Sequence, residues 1–560
     1  LRAANYFSQF EKFFTVERTL ILIFLTGLLF RFIFLDLKLL HHDESIHSWF
    51  AIRLLTEGIY SYDPVYHGPF LYYATAGIFG IFGTDDLITR ILPAILGSVM
   101  VLLVYPIYRI GYLNRNQTII AAVFLAVSPS LVYFSRFLRN DIFIVFFTLV
   151  ILVALLYYIE KKELKYAVLG AAAAGLAMSC KENMPIVLLI FGVYLLYLVY
   201  TDKFTLPDKW PRDLLVTLVI ITGIMTAFYS SFGMHPEILY EGLIKAVEHW
   251  TSMHGQQRLG GPFYFYIILF LLYELPILIL AVAGVIGFFK YRRMEDENSS
   301  VLCEESLEND LGEGTDSKSI ISKSKIAVKF DKNREFTRFC IFWMAVSLAI
   351  YGYLGEKVPW LILHQLVPMI FVAVYDLSRW KLWLSAAGVI FLVIMTMHVA
   401  FTPADISEPI VQVQNSEDLR TVMVFIDSAD SVVISDKVRW PFVWYYMEDY
   451  PAKLSYYSEG YNLETGPENY DVLILHDGEK IDEIPGFTKY TFKKSYWVDV
   501  YGLVQSSRQK ADIFDAGYRS VVIDDIKRLI SYYFTRDTGL GSINIDLFVR
   551  NNSSASKTVL

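Results

Sequence analysis

The feature that most constrains this chain is a series of apolar runs, separated by short polar stretches. They fall at residues 19–37, 86–108, 117–135, 142–159, 165–180, 184–200, 213–232, 262–289, 339–354, 360–376 and 380–401. A helix rises ~1.5 Å per residue and a bilayer core is ~30 Å thick, so runs of roughly this length read as membrane spans. The pattern predicts a mostly α polytopic bundle of about eleven spans. Composition agrees, with 55% of residues hydrophobic and 19% charged, against ~25% charged in soluble domains. That excludes both a soluble globular protein and a disordered one. A net charge of −8 gives no footing for nucleic acid. Cys180, Cys303 and Cys340 share no disulfide or metal spacing and read as isolated thiols. The chain opens on Leu1 rather than Met, which leaves its native start open.

Loop charge sets the expected topology. The run 69–83 is short and holds three glycines. If it stays at the interface and the N-terminus is cytoplasmic, Arg109, Arg115, Lys161, Lys162, Lys165, Lys203, Lys209 and Arg212 all fall in inner loops. That is a positive-inside bias. If 69–83 spanned, several of these would move outside, so it is read as interfacial or re-entrant. The first run is too long and too polar at its flanks for a cleaved signal peptide. Residues 1–401 then form the membrane domain, with a first outer loop at 38–88. Residues 290–338, acidic and then Lys/Ser-rich, form a cytoplasmic disordered loop. Residues 402–560 form an extracytoplasmic α/β domain, with strand-like runs at 431–434 and 471–475 and a helix candidate near 441–449. The expected location is the cell membrane.

The polar residues gather on one side of this topology. After the first run the chain reads His41-His42-Asp43-Glu44-Ser45-Ile46-His47. One reading is a helix cap at Asp43 with Glu44 in the first turn. A functional reading fits the flanking histidines and the matching groups elsewhere: His67, Arg90, Arg139, Asp141, Lys181, Glu182, Glu356 and Lys357, all at expected outer helix ends. Each alone reads as an interfacial salt bridge. Together they describe an outward polar cavity at membrane depth. Its chemistry suits transfer from a lipid-linked phosphate. Arg139, Lys181, Arg90 or Lys357 can hold the phosphate. Asp43 or Glu44 can take a proton from an acceptor or orient it, and Asp141 can share that task. Asp43 and Asp141 are also the candidate ligands if a divalent metal, Mg or Mn, takes part. His42, His67, Glu182 and Glu356 complete the expected substrate contacts.

Several short motifs fall in the same order: His42-Asp43-Glu44, His67-Gly68-Pro69-Phe70, Arg90-Ile91-Leu92-Pro93, and Ser135-Arg136-Phe137-Leu138-Arg139-Asn140-Asp141. In this the chain resembles the membrane glycosyltransferases of the C-type (GT-C) fold, over about residues 15–400. It is similar to the protein O-mannosyltransferases and the aminoarabinose transferases acting on lipid A. It most resembles an archaeal group associated with flippase activity in surface-protein N-glycosylation. The resemblance implies a polyprenyl-phosphate sugar donor and inversion at the anomeric carbon. It implies Asp43 as base or acceptor-orienting group, Asp141 as the acid of the later outer loop, and Arg90 as the basic group opening the second span. Where the mannosyltransferases carry two prolines after the histidine, this chain has His67-Gly68-Pro69, and no β-trefoil domain is recognisable.

The expected partners are a polyprenyl-phosphate-linked sugar, the bilayer, a glycan, lipid or protein acceptor, and other members of a glycosylation complex. A flippase for lipid-linked oligosaccharide, or a non-catalytic subunit associated with one, stays open beside the transferase. Three further groups carry open readings. Arg31, inside the first run, either faces the bundle interior or pairs with Asp36. His364 and Gln365 either line the cavity or bond between helices. The segment 233–261, with His235, Glu237, His249 and His254, matches no firm metal signature and reads as a flexible loop over the site.

Overall fold

The structure, a computed structural model, describes residues 15–58, 60, 62–256, 261–290, 331–355, 357–402, 408–458, 466–496, 504–508, 514–536 and 542–557. Every apolar run above forms a helix, but fewer of them are long enough to cross a membrane alone than the sequence suggests. Five are: Asp86–Arg109, Asn140–Lys161, Trp210–Tyr229, Lys332–Tyr353 and Arg379–Phe401. Two bent pairs raise the number to seven, Arg115–Val127 with Pro129–Ser135 at 52° and Phe265–Tyr273 with Leu275–Lys290 at 113°. Against the eleven expected spans, the described residues thus hold five to seven candidate spans by length and composition, with Leu164–Met178, Met184–Tyr200 and Pro359–Ala373 as shorter apolar helices beside them.

The physical reason is that apolar sequence continues past the helix ends. The first run extends to Leu37, yet its helix, Val16–Phe32, ends earlier. There Arg136 takes over the freed carbonyls, donating to Phe30 O at 3.1 Å, Ile33 O at 2.7 Å and Phe34 O at 2.5 Å. Arg31 does face the interior, where its guanidinium meets the carbonyls of Gly27, Leu125 and Ala126 at 3.0–3.1 Å. Phe70–Phe82 has 13 residues, or about 20 Å of helix, short of the ~30 Å core.

Two expected loops differ. Of the stretch 290–338, residues 332–338 belong to the helix Lys332–Tyr353, which Asp331 caps, and residues 291–330 lie outside the described residues. The segment 233–261 is largely a helix, Ile238–Gln256, whose apolar positions recur at helical spacing.

The C-terminal part holds a five-stranded mixed sheet in the order β2-β1-β3-β5-β4. β1 (Val432–Ser435) lies parallel to β2 (Leu454–Tyr457) and to β3 (Val472–His476), and β5 (Ser542–Arg550) pairs antiparallel with β3 and with β4 (Phe487–Tyr496). β1 and most of β3 are buried, so they read as continuous apolar runs. Leu39 of the first loop is 2% exposed and sits in the core of this sheet domain, with Leu419, Phe425 and Ile434. The helix Ala516–Thr535 departs from the sheet and sets Tyr532 into the core of the helical body.

Candidate functional site

The site grows from the turn after the first helix. His41, not Asp43, caps the helix His42–Glu57: its Nδ1 accepts the Asp43 N–H at 3.1 Å. Its Nε2 donates to the Gln412 carbonyl at 2.8 Å. The Asp43 carboxylate is thereby released from capping, and it pairs with the Arg139 guanidinium. Burial opposes ionisation of Asp43, but Arg139 and the histidines at 41, 42 and 47 hold it well below the usual carboxylate range.

Arg139 lies between two acids. Its Nε is 3.5 Å from Asp141 Oδ2, and its guanidinium rests 3.6 Å from the centre of the Trp360 ring. Asp141, 1% exposed, opens the helix Asn140–Lys161. Lys181 Nζ lies 3.2 Å from both of its oxygens, and His364 Nε2 is 3.2 Å from Oδ1. Asn183 Nδ2 is 3.2 Å from His364 Nε2 and from the Tyr351 hydroxyl. Residues from five separate segments thus converge on one buried polar cluster, with Asp43 as its more accessible acid.

A second group continues the cluster outward. Glu182 accepts from the Tyr62 hydroxyl at 2.8 Å and contacts His67 Nδ1 at 3.1 Å. The His67-Gly68-Pro69-Phe70 turn is clipped to the end of a neighbouring helix through Gly68 N to Cys180 O and Phe70 N to Ser179 O. A Cβ on Gly68 would stand 2.3 Å from the Ser179 carbonyl, so only glycine fits this close approach. His47 Nδ1 meets the Tyr72 hydroxyl at 2.8 Å, and that hydroxyl donates to Tyr66 O at 2.7 Å. The hydroxyl therefore accepts from His47, which is neutral. Burial, helped by Arg139, pulls the His47 imidazole down to about 3.

Beside Glu182 opens an apolar cavity of about 930 Å³, lined by Tyr62, Met178, Thr226, Tyr229, Leu239 and Val247 among others. The helix Ile238–Gln256 forms one wall.

Three sequence candidates are engaged elsewhere. Glu44 and Arg90 form a buried pair. Arg90 Nε and Nη2 meet the Glu44 carboxylate at 2.9 and 2.7 Å. Its remaining donors go to the carbonyls of Leu35, Lys38 and Leu39. Glu44 also accepts the backbone N–H groups of His41 and Leu138, both at 2.9 Å. Lys357 donates to the carbonyls of Tyr351, Gly352 and Leu354, closing the end of Lys332–Tyr353. His42 is half-buried next to Asp43. Glu356 lies outside the described residues.

The C-terminal part grips the loop that carries Asp43. Gln414 Nε2 donates to Leu39 O at 2.8 Å and Asn415 Nδ2 to Leu40 O at 2.6 Å, besides the Gln412 carbonyl on His41. The Tyr445 hydroxyl accepts Leu40 N and donates to Asp86 Oδ2 at 2.6 Å, while Trp444 Nε1 donates to Asp86 Oδ1 at 3.0 Å.

The donor set does not fit a divalent metal. Asp43 and Asp141 both face cations, and among the described residues no three His, Cys, Asp or Glu converge as ligands. Mg2+ or Mn2+ would need an octahedral set of oxygens.

With this geometry in hand, residues 66–228 match the family model described as dolichyl-phosphate-mannose-protein mannosyltransferase. An uncharacterized protein of Aquifex aeolicus is 26% identical over 261 residues, covering 45% of this chain and 50% of its own. The chain thus spans about half the length of that curated relative. Among solved structures, the archaeal oligosaccharyltransferase AglB from Archaeoglobus fulgidus, in complex with an inhibitory peptide and a dolichol-phosphate, superposes with a TM-score of 0.51. It is 12% identical, with 96% of this chain and 89% of that one covered. ArnT from Cupriavidus metallidurans in the apo state gives 0.48 at 14% identity, over 72% and 68%. The chain is a multi-pass membrane protein with the fold of the GT-C membrane glycosyltransferases. These matches do not show the archaeal flippase-associated group.

Proposed function

We propose that the chain is an integral-membrane glycosyltransferase that moves a sugar from a polyprenyl-phosphate donor to a glycan, lipid or protein acceptor on the outer face of the membrane, in surface glycosylation. The observation that carries this reading is the Asp43–Arg139–Asp141–Lys181 cluster set next to the apolar cavity through Glu182. The cavity suits an isoprenoid chain, and the cations beside it suit a phosphate. The relative solved with a dolichol-phosphate supports the same ligand class.

In this reading Asp43 accepts the proton of the acceptor hydroxyl or amide as that atom bonds to the anomeric carbon. The bond from that carbon to the donor phosphate breaks on the opposite face, and the leaving phosphate keeps the electron pair. Arg139 and Lys181 stabilise the charge that develops there, while Asp141 and His364 hold those cations in place. Inversion follows from attack opposite the leaving group. No step passes through a metal. The N-terminus lies in the cytoplasm, the sheet domain lies outside, and partners in a glycosylation complex would deliver the acceptor.

The test is sugar transfer by the purified full chain in nanodiscs. Asp43→Asn should remain folded and lose turnover. Full turnover by Asp43→Asn, or no turnover of any polyprenyl-phosphate-linked sugar by the unaltered protein, overturns the reading. Accumulation of a complete lipid-linked glycan on the inner face of cells lacking the gene would favour the flippase instead.

A further inference from the structure

The helix Ala516–Thr535 has two unlike faces. Asp525 and Tyr532, two turns apart on one face, are buried. On the opposite face Ile523, Ile526, Ile530 and Phe534 recur at spacings of three, four and four residues. They are 53%, 50%, 55% and 80% exposed. Isolated apolar residues on a surface need no explanation, but a helical stripe of four large ones does.

What the buried face touches locates the helix. Tyr532 packs in the same core as the membrane helices, with Leu529 and Tyr533 against it. Its hydroxyl donates to Glu408, the buried carboxylate that also accepts from Tyr273 and contacts His398. At the last turn, Arg536 Nη2 is 3.5 Å from the Leu272 carbonyl. The helix therefore docks against Phe265–Tyr273. That segment bends 113° from Leu275–Lys290, so if the latter crosses the bilayer, the former lies close to the plane of the bilayer. Leu275–Lys290 itself turns Ile279, Val282, Ile286 and Phe289 outward, the pattern of a lipid-facing side.

We infer that Ala516–Thr535 is an interfacial helix whose Ile523–Ile526–Ile530–Phe534 stripe is immersed in the bilayer surface, and that it tethers the C-terminal sheet domain to the lipid. Exposed charges border the stripe at Asp524 and Lys527, and Arg519 stands one turn before Ile523, where headgroups would meet them. The occupant of this face is lipid, because the opposite face packs into the core of the membrane helices through Tyr532, which leaves the stripe pointing away from the protein and toward the bilayer around it. This does not rest on the transferase reading, since it needs only that the chain be embedded in a membrane.

The test uses the full chain in phosphatidylcholine–phosphatidylglycerol nanodiscs, with an environment-sensitive dye on a cysteine at Ile526→Cys, and separately at Ile530→Cys and Asp524→Cys. The dyes at 526 and 530 should emit to the blue, lose most of their intensity to doxyl-labelled lipid, and resist iodide. The dye at 524 should show the reverse. Iodide quenching at 526 and 530 equal to that at 524 overturns the proposal, as does shielding from both quenchers, which would put a second copy or another protein over the stripe.

Discussion

Removing Glu44 separates structure from chemistry at this site. Its carboxylate takes four hydrogen bonds, two from Arg90 and one each from the backbones of His41 and Leu138. Both partners of the ion pair are nearly inaccessible, at 3% and 1% exposure. Glu44→Ala leaves the Arg90 charge buried with three carbonyls and, as counter-charge, only Asp86 one turn away, which is itself bonded to Trp444 and Tyr445. Breaking such a pair from one side costs about 3–5 kcal/mol. Each orphaned backbone N–H adds about 1–3 kcal/mol. Against a total stability of ~5–15 kcal/mol, the expected result is a steep loss of folded protein. The assay is the melting profile and monodisperse yield of detergent-solubilised protein. A Glu44→Leu/Arg90→Met double variant should recover part of the loss, because it removes the unpaired charge as well. If Glu44→Ala melts like the unaltered protein while sugar transfer disappears, the pair is not structural and Glu44 returns to the chemistry.

Three other predictions follow from the same geometry. Because burial pulls folded His47 down to about 3, the unfolded chain, with a His near 6.5, binds a proton that the folded chain refuses. Its contribution to stability is therefore complete above about 6.5 and is lost as pH falls toward about 3; His47→Gln should melt with a shallower acid dependence over this window, and parallel curves would refute it. Trp360→Ala withdraws the ring from the Arg139 guanidinium, a contact worth about 0.5–2 kcal/mol; the donor KM should rise by about two- to thirty-fold, and an unchanged KM would take Trp360 out of the site. Finally, cysteines placed at Asp482 and Asp208 should label from opposite sides of the membrane with an impermeant thiol reagent, the former from outside intact cells; labelling from the same side would overturn the proposed orientation.

The sequence showed where the helices lie and which loops carry the polar residues, because both signals are local. The His42-Asp43-Glu44 and Arg139-Asn140-Asp141 motifs sit at helix ends that apolar patterning marks directly. It did not show which acid faces which cation. Asp43 and Glu44 are neighbours in sequence, yet one turns to Arg139 and the other to Arg90, and only the packing of the following helices decides between them. Tyr72 and Tyr351 were missed as parts of the site, although the run of tyrosines from Tyr60 to Tyr73 was a signal that this loop packs inward. Some helices end before their apolar runs do, as at Phe32, because apolar turns and apolar helices look alike in composition. In the C-terminal part, β1 and β3 were legible as buried runs. The half-exposed β4, with Lys489, Lys493 and Lys494, was not, since it lacks a clean apolar alternation.

The grip of Gln412, Gln414 and Asn415 on the Leu39–His41 turn sets an order of events during synthesis. The His41 ring and the carbonyl that orients it are 371 residues apart in the chain. At ~5–20 residues per second, the ribosome needs about 20–70 s to bridge that interval. Throughout it the turn bearing Asp43 has already left the ribosome, but its final hydrogen bonds do not yet exist. A nascent or prematurely terminated chain would then hold Asp43 through Arg139 and its neighbour Glu44 through Arg90, but without the bonds from Gln412, Gln414 and Asn415. In the transferase proposed above, the last third of the protein would thus complete the hold on the turn that bears Asp43.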